Sequence, residues 1–163
     1  MTAPAIPLKE FETEMATTRR LLERVPSDKG AWKPHEKSFS LGHLAQLVAW
    51  MPGWITQSLR ETELDLKKGT GYSLETTETL LKMFDDNVLG ARKALSEVTG
   101  PELEVTWNLK MGDQVLFSQQ RGEVVRGHLN HLIHHRGQLT VYVRLIDVPL
   151  PSIYGPTADE RPG

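Results

Sequence analysis

The stretch Val124 to Leu145, VVRGHLNHLIHHRGQLTVYVRL, decides how this chain folds. Read as one long helix, it carries Val124, His128, His131, His135, Gln138, Tyr142 and Leu145 at alternating spacings of 4 and 3. That is the spacing of a packed helical seam. The stripe beside it, Val125, Leu129, Leu132, Leu139, Val143 and Ile146, is apolar apart from Arg136. Together the two stripes predict a broad buried face with three histidines in its middle. A buried imidazole needs a partner. Three in a row point to an acceptor of nitrogen lone pairs, and a divalent cation is the most economical one.

His131 and His135 are four residues apart, so they project within about 40° of each other and about 6 Å apart along the axis. Two imidazoles at that spacing can share one metal. His128 lies on the same face but about 10 Å along the axis from His135, too far for one cation to take both. It either pairs with His131 or stays outside the ligand shell. His134 points about 60° away from His131 and is expected in solvent or at an interface. The same spacing also fits core histidines bonded to neighbouring groups. Gln138 reads as an orienter of a ligand histidine or as a buried amide bonded to a facing helix. Arg136 reads as a salt-bridged or solvent-reaching side chain, and Tyr142 as core.

Working outward, a first helix is predicted from Pro7 to Val25, with Leu8, Phe11, Met15, Leu22 and Val25 on one face and Thr18 as its polar interruption. Pro26 ends it. The segment PSDKGAWKPHEKSF has no period and reads as a loop from which Trp32 packs inward. His35 lies in that loop among lysines, a poor position for a ligand. A second helix should start near Ser38 or Ser40, either of which can cap it. Its seam is Leu41, Leu44, Val48, Met51, Ile55 and Leu59. The stripe beside that seam holds Ser40, His43, Leu47, Trp50 and Trp54, so His43 repeats the motif of one histidine on an apolar helix. Pro52 should kink this helix or remove one hydrogen bond near Val48. Trp50 and Trp54 read as core ahead of a substrate wall.

Arg60 to Tyr72 is charged and reads as an exposed connection. A third helix is predicted from a Ser73 cap to about Val98, stopped by Gly100-Pro101. The period then changes, and ELEVTWNLK and QVLFS around Met111-Gly112-Asp113 read as a β-hairpin. Ser118 can cap the last helix. The tail from about 148 to 163 holds too many prolines to be helical and drapes over the bundle or frays. Four amphipathic helices with one hairpin insertion make an all-α bundle.

With 163 residues the chain is read as a single domain spanning 1–163. Its 19 basic and 21 acidic residues leave a net charge of −2, no field for a nucleic acid. The absence of cysteine excludes a disulfide framework, a thiolate-ligated zinc and a cysteine nucleophile. No stretch has the length of a membrane span or the pattern of a signal peptide, so a cytoplasmic location is expected.

The string NHLIHHRGQ, Asn130 to Gln138, resembles the NHxxHHRGQ signature on the last helix of the DinB family. SLGHLAQLV, Ser40 to Val48, is similar to that family's second-helix segment with its single inner histidine, and PLPSIYGPTADE resembles its tail. The resemblance implies a four-helix bundle of DinB type with a long crossover, the small hairpin between helices 3 and 4, and a homodimer. It implies a three-histidine divalent metal site made by His43, His131 and His135, holding Zn, Ni or Fe. It implies a thiol S-transferase that activates a low-molecular-weight thiol such as mycothiol, bacillithiol or glutathione towards an electrophile. The alternatives are a metal-dependent hydrolase and a non-catalytic metal-binding stress-response dimer. In the latter, His128, Asp159 or Glu160 would close the fourth position. No catalytic residue is assigned by the signature.

Overall fold

The structure, a computed structural model, describes residues 5–69 and 71–161, and the chain is mostly helical with a small three-stranded sheet. Helix α1 (Leu8–Leu22) buries Phe11, Met15, Thr18, Leu21 and Leu22, and also Glu14. It is shorter than the sequence predicts at both ends. Pro7 stands just outside as the cap residue, and Val25 is buried in the turn that follows. Pro26 disfavours helical dihedrals at Val25, which accounts for the early stop. The following loop brings the Trp32 ring edge-on to Tyr142, with centroids 5.8 Å apart.

Helix α2 (Leu41–Arg60) is capped by Ser40, whose Oγ accepts the His43 backbone N–H at 3.2 Å. Leu41, Leu44, Val48, Met51 and Ile55 are fully buried. The helix runs on through Pro52. One turn away, the Asn87 side-chain amide donates to the Ala49 carbonyl at 3.0 Å. A Cβ on Gly53 would stand 2.8 Å from Asn87 Oδ1, so any larger residue there must displace the amide that bonds the Ala49 carbonyl. Asn87 belongs to α3 (Thr77–Glu97), with Leu80, Phe84, Val88, Ala91, Ala94 and Leu95 buried.

Three expectations fail in the connections. The α3 cap is Thr76, whose Oγ1 accepts the Thr79 N–H, and not Ser73. Ser73 is engaged elsewhere, its N–H donating to Gln46 Oε1 at 2.8 Å. The stretch after α2 is not simply an exposed connection. Glu63–Asp65 forms β1, which pairs in parallel with β2 (Thr106–Met111). A three-residue strand is too short to show an alternating pattern. Gly100-Pro101, read as a stop, also opens a one-turn helix, α4 (Gly100–Leu103), where Glu102 accepts the Thr99 N–H at 2.8 Å.

Strand β2 pairs antiparallel with β3 (Gln114–Gln120), and Gly112 takes φ +62° in the turn between them. Helix α5 (Arg121–Leu145) follows β3 without a gap. Ser118 therefore lies in the strand, bonded to Asn108, and does not cap α5. The tail drapes over the helices. Ser152 is buried, Asp159 pairs with Arg144, and Glu160 pairs with Arg20.

Of the two α5 stripes that the sequence predicts to share one buried face, only the apolar one is buried throughout its length as far as Val143. Val125, Leu129, Leu132, Leu139 and Val143 are fully buried, and Arg136 lies among them at 2% exposure. In the histidine stripe Val124 and His135 are buried and His128 and Tyr142 half-buried, while His131, Gln138 and Leu145 are exposed. The histidines line an open wall and not the floor of the core. Among the described residues no helix is long and apolar enough to cross a membrane.

Candidate metal centre

One turn of α5 holds His131 and His135 with their Nε2 atoms 2.8 Å apart and ring centroids 4.6 Å apart. The Nδ1 of His135 lies 2.7 Å from Gln138 Oε1. An amide oxygen only accepts, so His135 Nδ1 carries the ring proton. A neutral imidazole has one such proton, which leaves His135 Nε2 as a bare lone pair. His131 must then donate its own Nε2–H to it. Burial, and then the neighbouring His135, lower the pKa of His131 below the usual histidine value. Two nitrogens bound at 2.0–2.1 Å to a tetrahedral cation would lie about 3.3 Å apart. The donor set would thus fit an ion once the His131 proton moves from Nε2 to Nδ1 and the rings part by about 0.5 Å.

The other histidines are placed differently. His128 Nε2 is 2.9 Å from Ser58 Oγ, with the edges of Trp54 and Trp107 nearby. Burial pushes its pKa down to about 4, so it is neutral at pH 7. His134 is exposed, and His35 remains in its loop, where Nδ1 accepts the Lys37 N–H. The His43 ring is sandwiched between Phe39 and Tyr72, at centroid distances of 4.2 and 3.8 Å and with nearly parallel planes. Phe39 in turn lies 6.3 Å from the His135 ring. Burial first, then His135, lower the pKa of His43. The structure thus joins His131, His135 and Gln138 and leaves His43 in an aromatic stack. Among the described residues no three His, Cys, Asp or Glu side chains stand close enough together to hold a cation.

Sequence reasoning missed several participants. Glu14, on α1, forms an ion pair with Arg136 at 2.7 Å, both side chains being buried. Arg136 also donates to the Glu14 carbonyl, to Thr18 Oγ1 and, at 2.7 Å, to the Tyr154 hydroxyl. Tyr154 donates onward to Glu14 at 2.9 Å. This network fixes the helical turn that carries His135. Its signal was present: Glu14 and Thr18 keep the helical spacing from Phe11, two polar groups on an apolar face opposite an arginine on another. Tyr72 and Phe39 had no such signal, because both come from irregular chain.

Trp50 and Trp54 are half-buried and wall a cleft of about 860 Å³ between α2 and β1. The Trp54 ring lies 6.0 Å from His131, so the cleft and the histidine pair adjoin.

Comparison with known proteins bears on the family and the fold. The family model described as DinB family matches residues 5–161. The uncharacterized protein YrdA of Bacillus subtilis (strain 168) is 25% identical over 158 residues, covering 94% of this chain and 89% of its own. A DinB-like protein from Bacillus subtilis, YjoA, shares the fold with a TM-score of 0.68 at 20% identity, over 88% of this chain and 94% of that one. A DinB-like protein from Bacillus cereus ATCC 10987 does so with a TM-score of 0.69 at 20% identity, over 90% and 95%.

Proposed function

The chain belongs to the DinB family, and from that premise we propose that it is a metal-dependent enzyme. Its ligands are His131, His135 and His43, and thiol S-transfer to an electrophile ranks ahead of hydrolysis by family likeness. The four long helices α1, α2, α3 and α5 are taken as the family's bundle, with the β2–β3 hairpin inserted before the last. The observation that carries the reading is the pair of Nε2 atoms at 2.8 Å, with the outer nitrogen of His135 held by Gln138.

Gln138 keeps His135 in the one tautomer that aims a lone pair at its neighbour. His131 would supply the second nitrogen after its ring proton moves from Nε2 to Nδ1 by exchange with solvent, which its exposure permits. His43 would join by leaving its stack with Phe39 and Tyr72. A divalent cation held there would lower the pKa of a bound thiol or water and polarise an electrophile.

An open coordination position is favoured over a filled one. The groups that would close it are engaged elsewhere: His128 with Ser58, Asp159 with Arg144, Glu160 with Arg20. Zinc, nickel and iron remain equivalent choices for this donor set. The homodimer of the family carries over as part of the same proposal.

The test is turnover by protein loaded in turn with Zn, Ni and Fe. Mycothiol, bacillithiol and glutathione are offered with a chromogenic electrophile. His135→Ala should abolish the metal-dependent rate. Equal rates in the two proteins would overturn the proposal.

A further inference from the structure

We infer that the cleft beside the histidine pair binds flat aromatic molecules bearing a positive charge. Three rings and an excess of carboxylate line one space. Trp50, Trp54 and Tyr72 supply its aromatic lining, and Glu61, Glu63 and Asp65 line the same cleft with Lys68 as the opposing charge.

The wall already stacks a planar ring. Tyr72, arriving from irregular chain before α3, places its phenol between His43 and Trp50. Its centroid lies 3.8 Å from the imidazole and 4.8 Å from the indole, with planes within 23° and 27°. This ladder continues through His43 to Phe39 at 4.2 Å. Tyr72 is thus held between two rings, and Trp54 lines the same cleft. Trp54 offers the next indole along α2, 6.0 Å from His131, so a ligand on this wall would lie beside the histidines.

Charge then selects among flat molecules. Indole faces attract cations, and the acidic side of the cleft adds to the attraction. The carboxylates are not equally free. Glu63 shares Lys110 at 3.3 Å, and Asp65 accepts the backbone N–H groups of Gly112 and Lys67. Glu61 makes no ion pair among the described residues and is exposed at the rim. It is the carboxylate with its charge available for a ligand. An anionic ligand of the same shape meets repulsion from the same side.

This names the substrate class for the proposed enzyme and rests on that reading only in taking the cleft as the route to the histidines. Binding itself needs no metal, so the test uses the full-length chain stripped of metal with EDTA. Failure of thiol transfer and failure of binding are then separate results.

Phenyltrimethylammonium, benzyl alcohol and benzenesulfonate are titrated into the protein, followed by calorimetry and by the indole N–H signals of an NMR spectrum. The cation is expected to bind at least about tenfold more tightly than the sulfonate and more tightly than the alcohol. It should shift the indole signals of Trp50 and Trp54 and leave that of the fully buried Trp107 in place. Trp54→Leu should weaken the cation about tenfold and Glu61→Gln about threefold. Glu61 is exposed, so Glu61→Gln folds normally and keeps the test decisive if Trp54→Leu does not fold. Absence of saturable binding, equal or tighter binding of the sulfonate, or an unchanged affinity in Glu61→Gln would each overturn the inference.

Discussion

Lowering the pH from 7 to 5 should cost the metal-free protein about 2 kcal/mol at one side chain, His128. Folding encloses this imidazole against Trp54 and Trp107 and bonds it to Ser58, and burial lowers its pKa from 6.5 to about 4. A base depressed in this way stays neutral in the folded chain where the unfolded chain takes up a proton. Stability from this group is therefore present above pH 6.5 and is lost as the pH falls towards 4. A depression of about 2.5 units corresponds to about 3.4 kcal/mol once both states are protonated. At pH 5 about 2 kcal/mol of that is already gone, and at pH 7 almost none.

The perturbation that isolates the term is His128→Gln, which keeps a polar group near Ser58 but cannot titrate. Urea unfolding of both proteins at pH 7 and pH 5, after EDTA treatment, gives a double difference. His43, whose pKa is also lowered, titrates in both proteins and cancels, and His131 enters the double difference only through its charge beside His128. Wild-type protein should lose about 2 kcal/mol more than the variant over this interval. Parallel losses would refute the claim that folding encloses His128 and keeps it neutral.

Three further outcomes follow from packing and hydrogen bonding. Arg136→Met leaves the Glu14 carboxylate buried without its partner and should cost about 3–5 kcal/mol in urea unfolding, most of it recovered in the double variant with Glu14→Met. Gly53→Ala drives a methyl against Asn87 Oδ1 at the α2–α3 contact and should lower stability by about 1–3 kcal/mol, read as a drop in Tm. Gln138→Leu removes the acceptor that fixes the His135 tautomer and should weaken zinc binding about 10- to 100-fold, measured by competition with a chromogenic chelator.

The long helices were legible because their apolar spacing extends over many turns. The fold class follows from α1, α2, α3 and α5 almost without tertiary information. Their ends were less so, because each cap depends on which hydroxyl is free. Ser73 and Ser118 have the right chemistry for caps, but the fold engages them with the side chains of Gln46 and Asn108. Strand β1 was invisible because its three residues pair with a strand more than 40 positions away.

At the candidate site, His131, His135 and Gln138 were readable from spacing alone, since one helix carries all three. The sequence could not show which α5 stripe faces the core. Arg136 looked like the intruder on the apolar stripe, yet Glu14, Thr18 and Tyr154 provide for it at full burial. The surroundings of His43 depend on Phe39 and Tyr72, residues of irregular chain with no period to place them.

Calorimetric titration of zinc into EDTA-treated protein addresses the histidine pair most directly. One ion per chain should bind to the wild type and to His134→Ala, and binding should be lost in His131→Ala and His135→Ala and weakened in His43→Ala. A wild type that takes up no ion, or an affinity indifferent to His131 and His135, would contradict the metal centre.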